Sequence, residues 1–164
     1  MQIRQANDGD RDWIHETLVR EWDGPLIERT DEFVDAGKLP ALIAEVDGEG
    51  VGLATVLLQP DHAEIVSLNS FREKQGIGTA LIKAVEEMAV RAGTPEVRIF
   101  TYNGNLNALG FYQKRGYRLW AIHRDTITRA RLDKPSIPLL DDNGIIVADE
   151  IELRRRLDGT TPRA

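Results

Sequence analysis

A glycine pair at the start of a predicted helix constrains this chain most. Gly76 and Gly78 flank Ile77, and glycine lets the backbone turn tightly and bring its amide groups close to a ligand. From Gly78 to about Ala92, apolar residues recur with helical spacing, which predicts a helix. The first turn of a helix presents unpaired N–H groups and the positive end of the helix dipole. We therefore expect this stretch to hold an anion such as a phosphate.

The loop follows an apolar-rich run at residues 63–68, which predicts a strand, so the unit is strand, anion loop and helix. Two common nucleotide-binding motifs do not fit it. A Rossmann motif needs a third glycine where this chain has Leu81, and no acid occurs at residues 101–103 after the next strand. A P-loop needs Gly-Lys-Ser/Thr, which is absent. A purely structural role for the glycines in the strand-to-helix turn stays open.

The composition is that of an ordinary globular domain. The 164 residues suffice for one domain with a sizeable core, and we expect a single domain over residues 1–164. Hydrophobic residues make up 41% of the chain and charged residues 29%, which is typical of globular proteins. No apolar run is long enough to span a bilayer, and the N-terminal residues include acids where a secretory leader would be apolar. We therefore expect a cytoplasmic protein that does not bind membranes.

The residue types also restrict the chemistry. The chain has no cysteine, which excludes disulfides, thiolate zinc sites and a cysteine nucleophile. His15, His62 and His123 show no spacing typical of metal ligands, so no metal is expected. The net charge of -6 argues against nucleic acid as the main partner and favours a cationic substrate.

Local patterns predict the remaining elements. Strands are expected at residues 3–6, 39–46, 51–58, 97–102, 117–123 and 150–157, and helices between Asp10 and Asp23 and at residues 26–37, 106–114 and 126–132. Asp8 or Asp10 is expected to cap the first helix, and residues 47–50 to form a hairpin turn. The last strand carries charged residues and is expected at a sheet edge, and residues after Asp158 are expected to fray.

Strand, helix and strand alternate twice in the second half of the chain, so part of the sheet should be parallel. The hairpin and the strand before the glycine loop should be antiparallel. The fold class predicted is therefore α/β (α+β), with a mixed, mostly antiparallel central sheet flanked by helices.

The segment from Asn105 to Tyr117 nearly matches the pattern N-x-x-A-x-x-F-Y-x-K-x-G-F/Y. Together with the strand at 63–68 and the loop at 76–81, it resembles the GCN5-related N-acetyltransferase (GNAT) family over roughly residues 40–123. The three pieces together are far more specific than any one of them. The resemblance implies the GNAT fold, in which the sheet is splayed at the strand that binds acetyl-CoA, here the one ending near Leu68.

The resemblance also implies how acetyl-CoA binds. The loop amides hold its pyrophosphate, the strand backbone pairs with the pantetheine amides, and the helix face with Asn105, Ala108 and Tyr112 lies along the pantetheine arm. The implied cofactor-binding residues are Val66, Ser67, Leu68, Lys74, Gln75, Gly76, Ile77, Gly78, Thr79, Asn105 and Tyr112. One position departs from the family pattern, which usually has Arg or Gln three residues before the first glycine, where this chain has Glu73.

Acetyl transfer to an amine requires a base and an acid. An amine with a pKa of about 10.4 is almost fully protonated at pH 7, and the departing thiolate needs a proton. Tyr112 is the candidate acid. Glu64 is the candidate base, acting through water, and His62 competes with it because relatives carry a glutamate about two residues farther from the glycines. Ordinary packing or solvation of each side chain stays the alternative.

These residues predict an enzyme, an acetyl-CoA-dependent N-acetyltransferase that transfers acetyl directly to a primary amine of a small molecule, peptide or protein. The alternative is a non-catalytic GNAT-like module that binds acyl-CoA as a sensor or partner domain. The acceptor is not identified. Trp22, Ile27 and Phe33 are expected to line its pocket or to belong to the core, and residues 124–148 to form either a lid or a homodimer contact.

Overall fold

The structure is a computed structural model that describes residues 1–157. In chain order its strands and α-helices are β1 (Gln2–Gln5), α1 (Arg11–Trp22), β2 (Leu26–Arg29), β3 (Glu32–Asp35), β4 (Ala41–Val46), β5 (Glu49–Leu58), β6 (Ala63–Ser70), α2 (Ile77–Arg91), β7 (Glu96–Tyr102), α3 (Leu106–Gln113), β8 (Arg118–His123), α4 (Thr126–Asp133) and β9 (Glu150–Arg156). The fraying expected after Asp158 lies outside the described residues. None of the helices within residues 1–157 has the length and apolar character needed to cross a bilayer.

The chain divides into two compact units. The first comprises Met1–Ile27, Asp35–Val97 and the chain from Arg156, and the second comprises Glu28–Val34 and Arg98–Arg155. Helices α1 and α2 belong to the first unit, and α3 and α4 belong to the second. A single domain over residues 1–164 stays a prediction.

The first unit is built on four neighbouring strands in the order β1, β4, β5, β6, and each adjacent pair is antiparallel. Helix α2 packs against β4, β5 and β6. Ile77, Leu81 and Val85 recur every four residues on one face of this helix, and each is at most 1% exposed. Burying a side chain of this kind stabilises the fold by about 1.5–3 kcal/mol, so α2 is fixed firmly to the sheet. The predicted α/β class with mostly antiparallel strands is confirmed.

The hairpin between β4 and β5 forms as predicted. Val46 pairs with Glu49, which leaves a loop of two residues, Asp47 and Gly48. Both have positive φ angles, 53° and 79°. Two successive positive φ angles are the signature of the tight turn that matches the twist of a hairpin.

The residues predicted as a second helix, 26–37, instead form a hairpin of β2 and β3 followed by a short 3-10 turn. Its turn residues, Thr30 and Asp31, have positive φ angles of 43° and 64°. The guanidinium of Arg129 donates to both carboxylate oxygens of Asp31, at 2.7 and 3.0 Å. The helical prediction for residues 26–37 was therefore wrong. The turn has neither glycine nor asparagine to signal it, and the contact that accompanies it comes from a residue distant in sequence.

The predicted edge position of the last strand is also wrong. In the second unit the strand order is β7, β9, β8, with β8 and β9 antiparallel. Glu150 and Glu152 of β9 are only 3% and 4% exposed. The Thr30 N–H donates to Glu150 at 2.8 Å, and His123 Nε2 lies 2.9 Å from a Glu152 oxygen. Buried carboxylates require such partners, and the local sequence does not reveal them.

Asp10 stands at the N-cap position of α1, in line with the prediction for Asp8 or Asp10, but its side chain makes no capping hydrogen bond to that helix within residues 1–157. Asn7 accepts a hydrogen bond from the Gly9 N–H, and the Asp10 carboxylate accepts one from the Asn7 N–H. Asp10 also accepts two hydrogen bonds of 2.7 Å from Arg4. The hydrogen bonds from Arg4 have the largest effect and the bond from the Asn7 N–H the next largest, and together they lower the pKa of Asp10 to about 2. Asn7 is thus the capping residue of the turn that leads into α1.

The segment at 124–148 is tied down within the second unit. The Asn103 side chain accepts from the N–H groups of Ala148 and Asp149, and donates to the Ile146 carbonyl. Arg131 donates to the carbonyls of residues 137, 138 and 147. These bonds give the segment a defined path, and its function as a lid or a dimer contact stays a prediction.

Candidate active site

A bulge interrupts β6 where the sequence predicts contact with a cofactor. Val56 pairs with Ile65 and Thr55 with Ser67, so Val66 is the extra residue on β6. A bulge bends its strand and redirects the backbone locally. The hydroxyl oxygens of Thr55 and Ser67 lie 2.7 Å apart in a buried contact. The Ser67 side chain is therefore already engaged, and any ligand contact at this residue would use its backbone.

The glycine loop has the open geometry expected of an anion site. Gly76 directly precedes α2 with φ 76° and ψ 6°, and no side chain among residues 1–157 caps the helix there. The first-turn N–H groups of a helix have no partner within the helix itself. Apart from its chain neighbours, a Cβ added to Gly76 would meet no atom of the described chain within 4 Å. At Gly76, open space for a ligand therefore lies next to the backbone N–H groups of the first turn of α2.

The residues before Gly76 are exposed. Arg72 forms an ion pair with Glu49, whereas the side chains of Glu73, Lys74 and Gln75 face solvent. Lys74 also has a positive φ of 59°, an uncommon conformation for a residue with a Cβ. The carboxylate that departs from the family pattern is thus solvated, and Lys74 remains accessible to an anion.

Glu64 and His62 lie together at the start of β6. Residues two apart on an extended chain share a face, and here Glu64 is 1% and His62 7% exposed. His62 Nε2 lies 4.0 Å from Glu64 Oε2. His62 Nδ1 lies 2.9 Å from Asp61 Oδ1, and because a carboxylate only accepts, Nδ1 is the donor. The two candidate bases are therefore buried close to each other. Asp61 belongs to the same cluster of side chains, and the sequence analysis did not single it out although it is next to His62 in the chain.

Asn105 has a structural function that its sequence pattern did not predict. It precedes α3, and its Oδ1 accepts a hydrogen bond of 3.1 Å from the Ala108 N–H. Asparagine is among the preferred residues at this capping position. The contact with the pantetheine arm implied by the resemblance stays a prediction.

Tyr112 lies on α3 and is 9% exposed. Its ring packs against Phe111 and Tyr117, with centroids 5.4 and 6.1 Å away. Burial raises the pKa of Tyr112 to about 12. The phenol is therefore neutral near pH 7 and carries a proton that it can donate.

The three residues proposed for the acceptor pocket differ in their surroundings. Ile27 is 7% exposed and belongs to the core, which was one of the two functions expected for it. The indole N–H of Trp22 donates to Asn69 Oδ1 at 2.9 Å, and Phe33 is half-buried. An acceptor-binding function for Trp22 and Phe33 stays a prediction.

The chain belongs to the GNAT acetyltransferase family. The sequence model of the acetyltransferase (GNAT) family matches residues 10–117. The chain is 34% identical over 159 residues to the Bacillus subtilis (strain 168) protein YdhI, covering 96% of this chain and 99% of that one. The resemblance predicted from the sequence is thus confirmed, and the family assignment supports acetyl transfer as the general reaction.

Solved structures show the same fold. An IAA acetyltransferase from Bacillus cereus ATCC 14579 superposes with a TM-score of 0.74 at 22% identity, covering 94% of this chain and 98% of that chain. A Bacillus subtilis acetyltransferase crystallised in complex with CoA gives 0.69 at 23% identity, with coverage of 94% and 97%. The predicted GNAT fold is confirmed, while the parallel pairing and the splay near Leu68 stay predictions.

Proposed function

We propose that this protein binds acetyl-CoA and transfers its acetyl group directly to the nitrogen of a primary amine, on a small molecule, a peptide or a protein. The observation that carries the proposal is the uncapped start of α2 at Gly76, with open space around it. In a member of an acetyltransferase family, this anion site fits the pyrophosphate of the acetyl donor. The complex of the Bacillus subtilis relative with CoA supports the same class of donor.

The proposed contacts divide the donor molecule into two parts. The loop at 74–79 binds the pyrophosphate through backbone N–H groups and Lys74, and the bulged strand at 66–68 binds the pantetheine amides through its backbone. Asn105 and Tyr112 of α3 complete the proposed set. Because Ser67 is already bonded to Thr55, its contribution comes from the main chain.

The proposed reaction forms one bond and breaks one bond at the thioester. The amine lone pair attacks the carbonyl carbon, the C–N bond forms, and the C–S bond breaks with its electron pair leaving on sulfur. Glu64, through a water molecule, first takes one proton from the ammonium form of the amine, which frees the lone pair. Tyr112 gives its phenolic proton to the sulfur, and the proton that the nitrogen loses as the amide forms returns to the Tyr112 phenolate. The products are an amide and CoA thiol.

The burial of Tyr112 restricts when its proton can move. With the pKa of Tyr112 raised to about 12 and that of a thiol near 8.5, full transfer to a thiolate that has already departed would be uphill by about 5 kcal/mol. A proton transferred as negative charge develops on sulfur avoids most of this cost. We therefore propose that protonation accompanies C–S cleavage.

The proposal is tested by binding and by product formation. Acetyl-CoA, CoA and NADH are titrated into the purified protein by calorimetry, and a panel of amines and peptides is then screened for acetylated product by mass spectrometry. We expect acetyl-CoA and CoA to bind, NADH not to bind, and at least one amine to be acetylated. Binding without product across a wide panel would favour the non-catalytic module instead.

A further inference from the structure

Three titratable side chains at the start of β6 lead from solvent to the interior. The side chains of Asp61, His62 and Glu64 are 69%, 8% and 2% exposed, in that order. The distance from Asp61 Oδ1 to His62 Nδ1 is 2.9 Å, and that from His62 Nε2 to Glu64 Oε2 is 4.0 Å. The imidazole therefore stands between an exposed and a buried carboxylate.

The inner nitrogen of His62 is buried without a hydrogen-bond partner among residues 1–157. Leaving a buried polar atom unpaired costs about 1–3 kcal/mol. Because Nδ1 carries the proton donated to Asp61, a neutral ring bears its lone pair on Nε2. Nε2 lies 4.0 Å from Glu64 Oε2, so Glu64 is the neighbouring group from which this nitrogen can receive a proton.

We propose that His62 holds the proton that Glu64 takes from the acceptor amine, an inference that rests on the proposed function. The ammonium N–H bond breaks and its electron pair stays on nitrogen as the attacking lone pair. The proton passes through Glu64 and bonds to Nε2, which makes an imidazolium while both carboxylates remain charged. After the products leave, the imidazolium releases its proton to water.

The two carboxylates explain why this arrangement is favourable. A free imidazole binds a proton about 10²-fold more tightly than a free carboxylate. The imidazolium would lie between Asp61 and Glu64, the charged side chains that contact His62 in the described chain. The imidazolium would therefore have a carboxylate beside each of its ring nitrogens. Asp61 is then a positioning residue that fixes the tautomer of His62.

The first test uses the full-length protein and an amine identified by the screen. His62→Gln removes the proton acceptor but keeps a polar side chain of similar size. We expect kcat/KM at pH 7 to fall about 10²-fold, the acid limb of its pH profile to move to lower pH, and the Kd for acetyl-CoA to stay within twofold. Asp61→Asn should shift the acid limb in the same direction with a smaller loss of rate.

Glu87→Gln is the matched control, because it also removes a titratable group and its side chain is exposed on α2. It should leave the rate and the pH profile unchanged. If His62→Gln and Asp61→Asn behave like Glu87→Gln in an active wild-type background, the inference is overturned and the proposed function stands. A wild-type protein that binds acetyl-CoA but acetylates nothing overturns the proposed function instead.

The second test does not need an acceptor. The chain has three histidines, so ring ¹⁵N spectra can be assigned by comparison with His62→Gln. We expect neutral His62 to be protonated on Nδ1 and unprotonated on Nε2. Protonation on Nε2 would contradict the inference even if the acceptor is unknown.

Discussion

Gly52 of β5 lies directly against Ile77, the first residue of α2. A Cβ added to Gly52 would be 2.6 Å from Ile77 Cγ2 and 3.0 Å from Leu81 Cδ1. Real Cβ atoms do not approach so closely, so a side chain at Gly52 would displace the start of the helix. The absence of a side chain on β5 therefore sets the position of the proposed phosphate site.

We predict that Gly52→Ala destabilises the protein by about 1–3 kcal/mol, the cost of forcing an extra methyl into a packed core. It should also weaken acetyl-CoA binding, because the helix start moves. Urea unfolding and calorimetry measure the two effects. Gly110→Ala is the control: its added Cβ would meet nothing within 4 Å, and in a helix it should stabilise by about 0.5–1 kcal/mol. Equal effects of the two substitutions would refute the packing argument.

Substitution of Gly76 should separate backbone strain from ligand binding. Its φ of 76° disfavours a side chain although the space is open. We predict that Gly76→Ala costs about 1–2 kcal/mol and weakens acetyl-CoA binding about tenfold or more. Gly48→Ala at the β4–β5 turn, with φ 79° and equal space, should cost similar stability and leave the acetyl-CoA affinity unchanged. The same affinity loss in both variants would argue against an anion site at Gly76.

Tyr112→Phe tests the acid. Removal of the hydroxyl should lower kcat about 10²-fold or more, whereas the Kd for acetyl-CoA should change little because the ring remains. Steady-state kinetics and calorimetry provide the measurements. Unchanged kcat would remove Tyr112 from the mechanism.

The raised pKa of Tyr112 also predicts how stability depends on pH. The unfolded tyrosine ionises near pH 10, and the folded one at a pKa of about 12. Between these values the unfolded state binds fewer protons, so the free energy of unfolding falls as pH rises. The stabilisation is fully present below pH 10, and about 2 kcal/mol of it is lost by pH 12. Urea titrations should show this loss in the wild type and a correspondingly smaller one in Tyr112→Phe; parallel curves would contradict the buried phenol.

Asn105 allows capping and cofactor contact to be separated. Asn105→Ala removes the bond to the Ala108 N–H and should cost about 1 kcal/mol, while Asn105→Ser keeps a capping oxygen. If the amide also contacts the pantetheine arm, Asn105→Ser should weaken acetyl-CoA binding while stability stays near that of the wild type. Unchanged affinity in Asn105→Ser would leave capping as the function of this residue.

The parts of the fold that local sequence predicted are those governed by local physics. Helix α2 was predictable because Ile77, Leu81 and Val85 share one face, and the β4–β5 turn because Asp47 and Gly48 tolerate positive φ. The resemblance to the GNAT sequence pattern allowed the overall fold to be predicted as well. These features depend on residues close together in the chain.

The errors arose where partners distant in sequence decide the structure. The turn at Thr30 is accompanied by the ion pair of Asp31 with Arg129, and the charged strand β9 is buried because its carboxylates have partners. The same holds at the candidate site. Glu64 and His62 were predicted as separate candidates, but their shared burial and the orientation set by Asp61 required the structure.

The most direct test of the account is calorimetric titration of the purified protein with acetyl-CoA, with CoA and NADH in parallel. We predict saturable binding of acetyl-CoA and CoA with one site per chain, no binding of NADH, and weaker acetyl-CoA binding in Gly76→Ala but not in Gly48→Ala. Absence of acetyl-CoA binding to the folded wild-type protein would contradict the account, because the glycine loop would then be structural only.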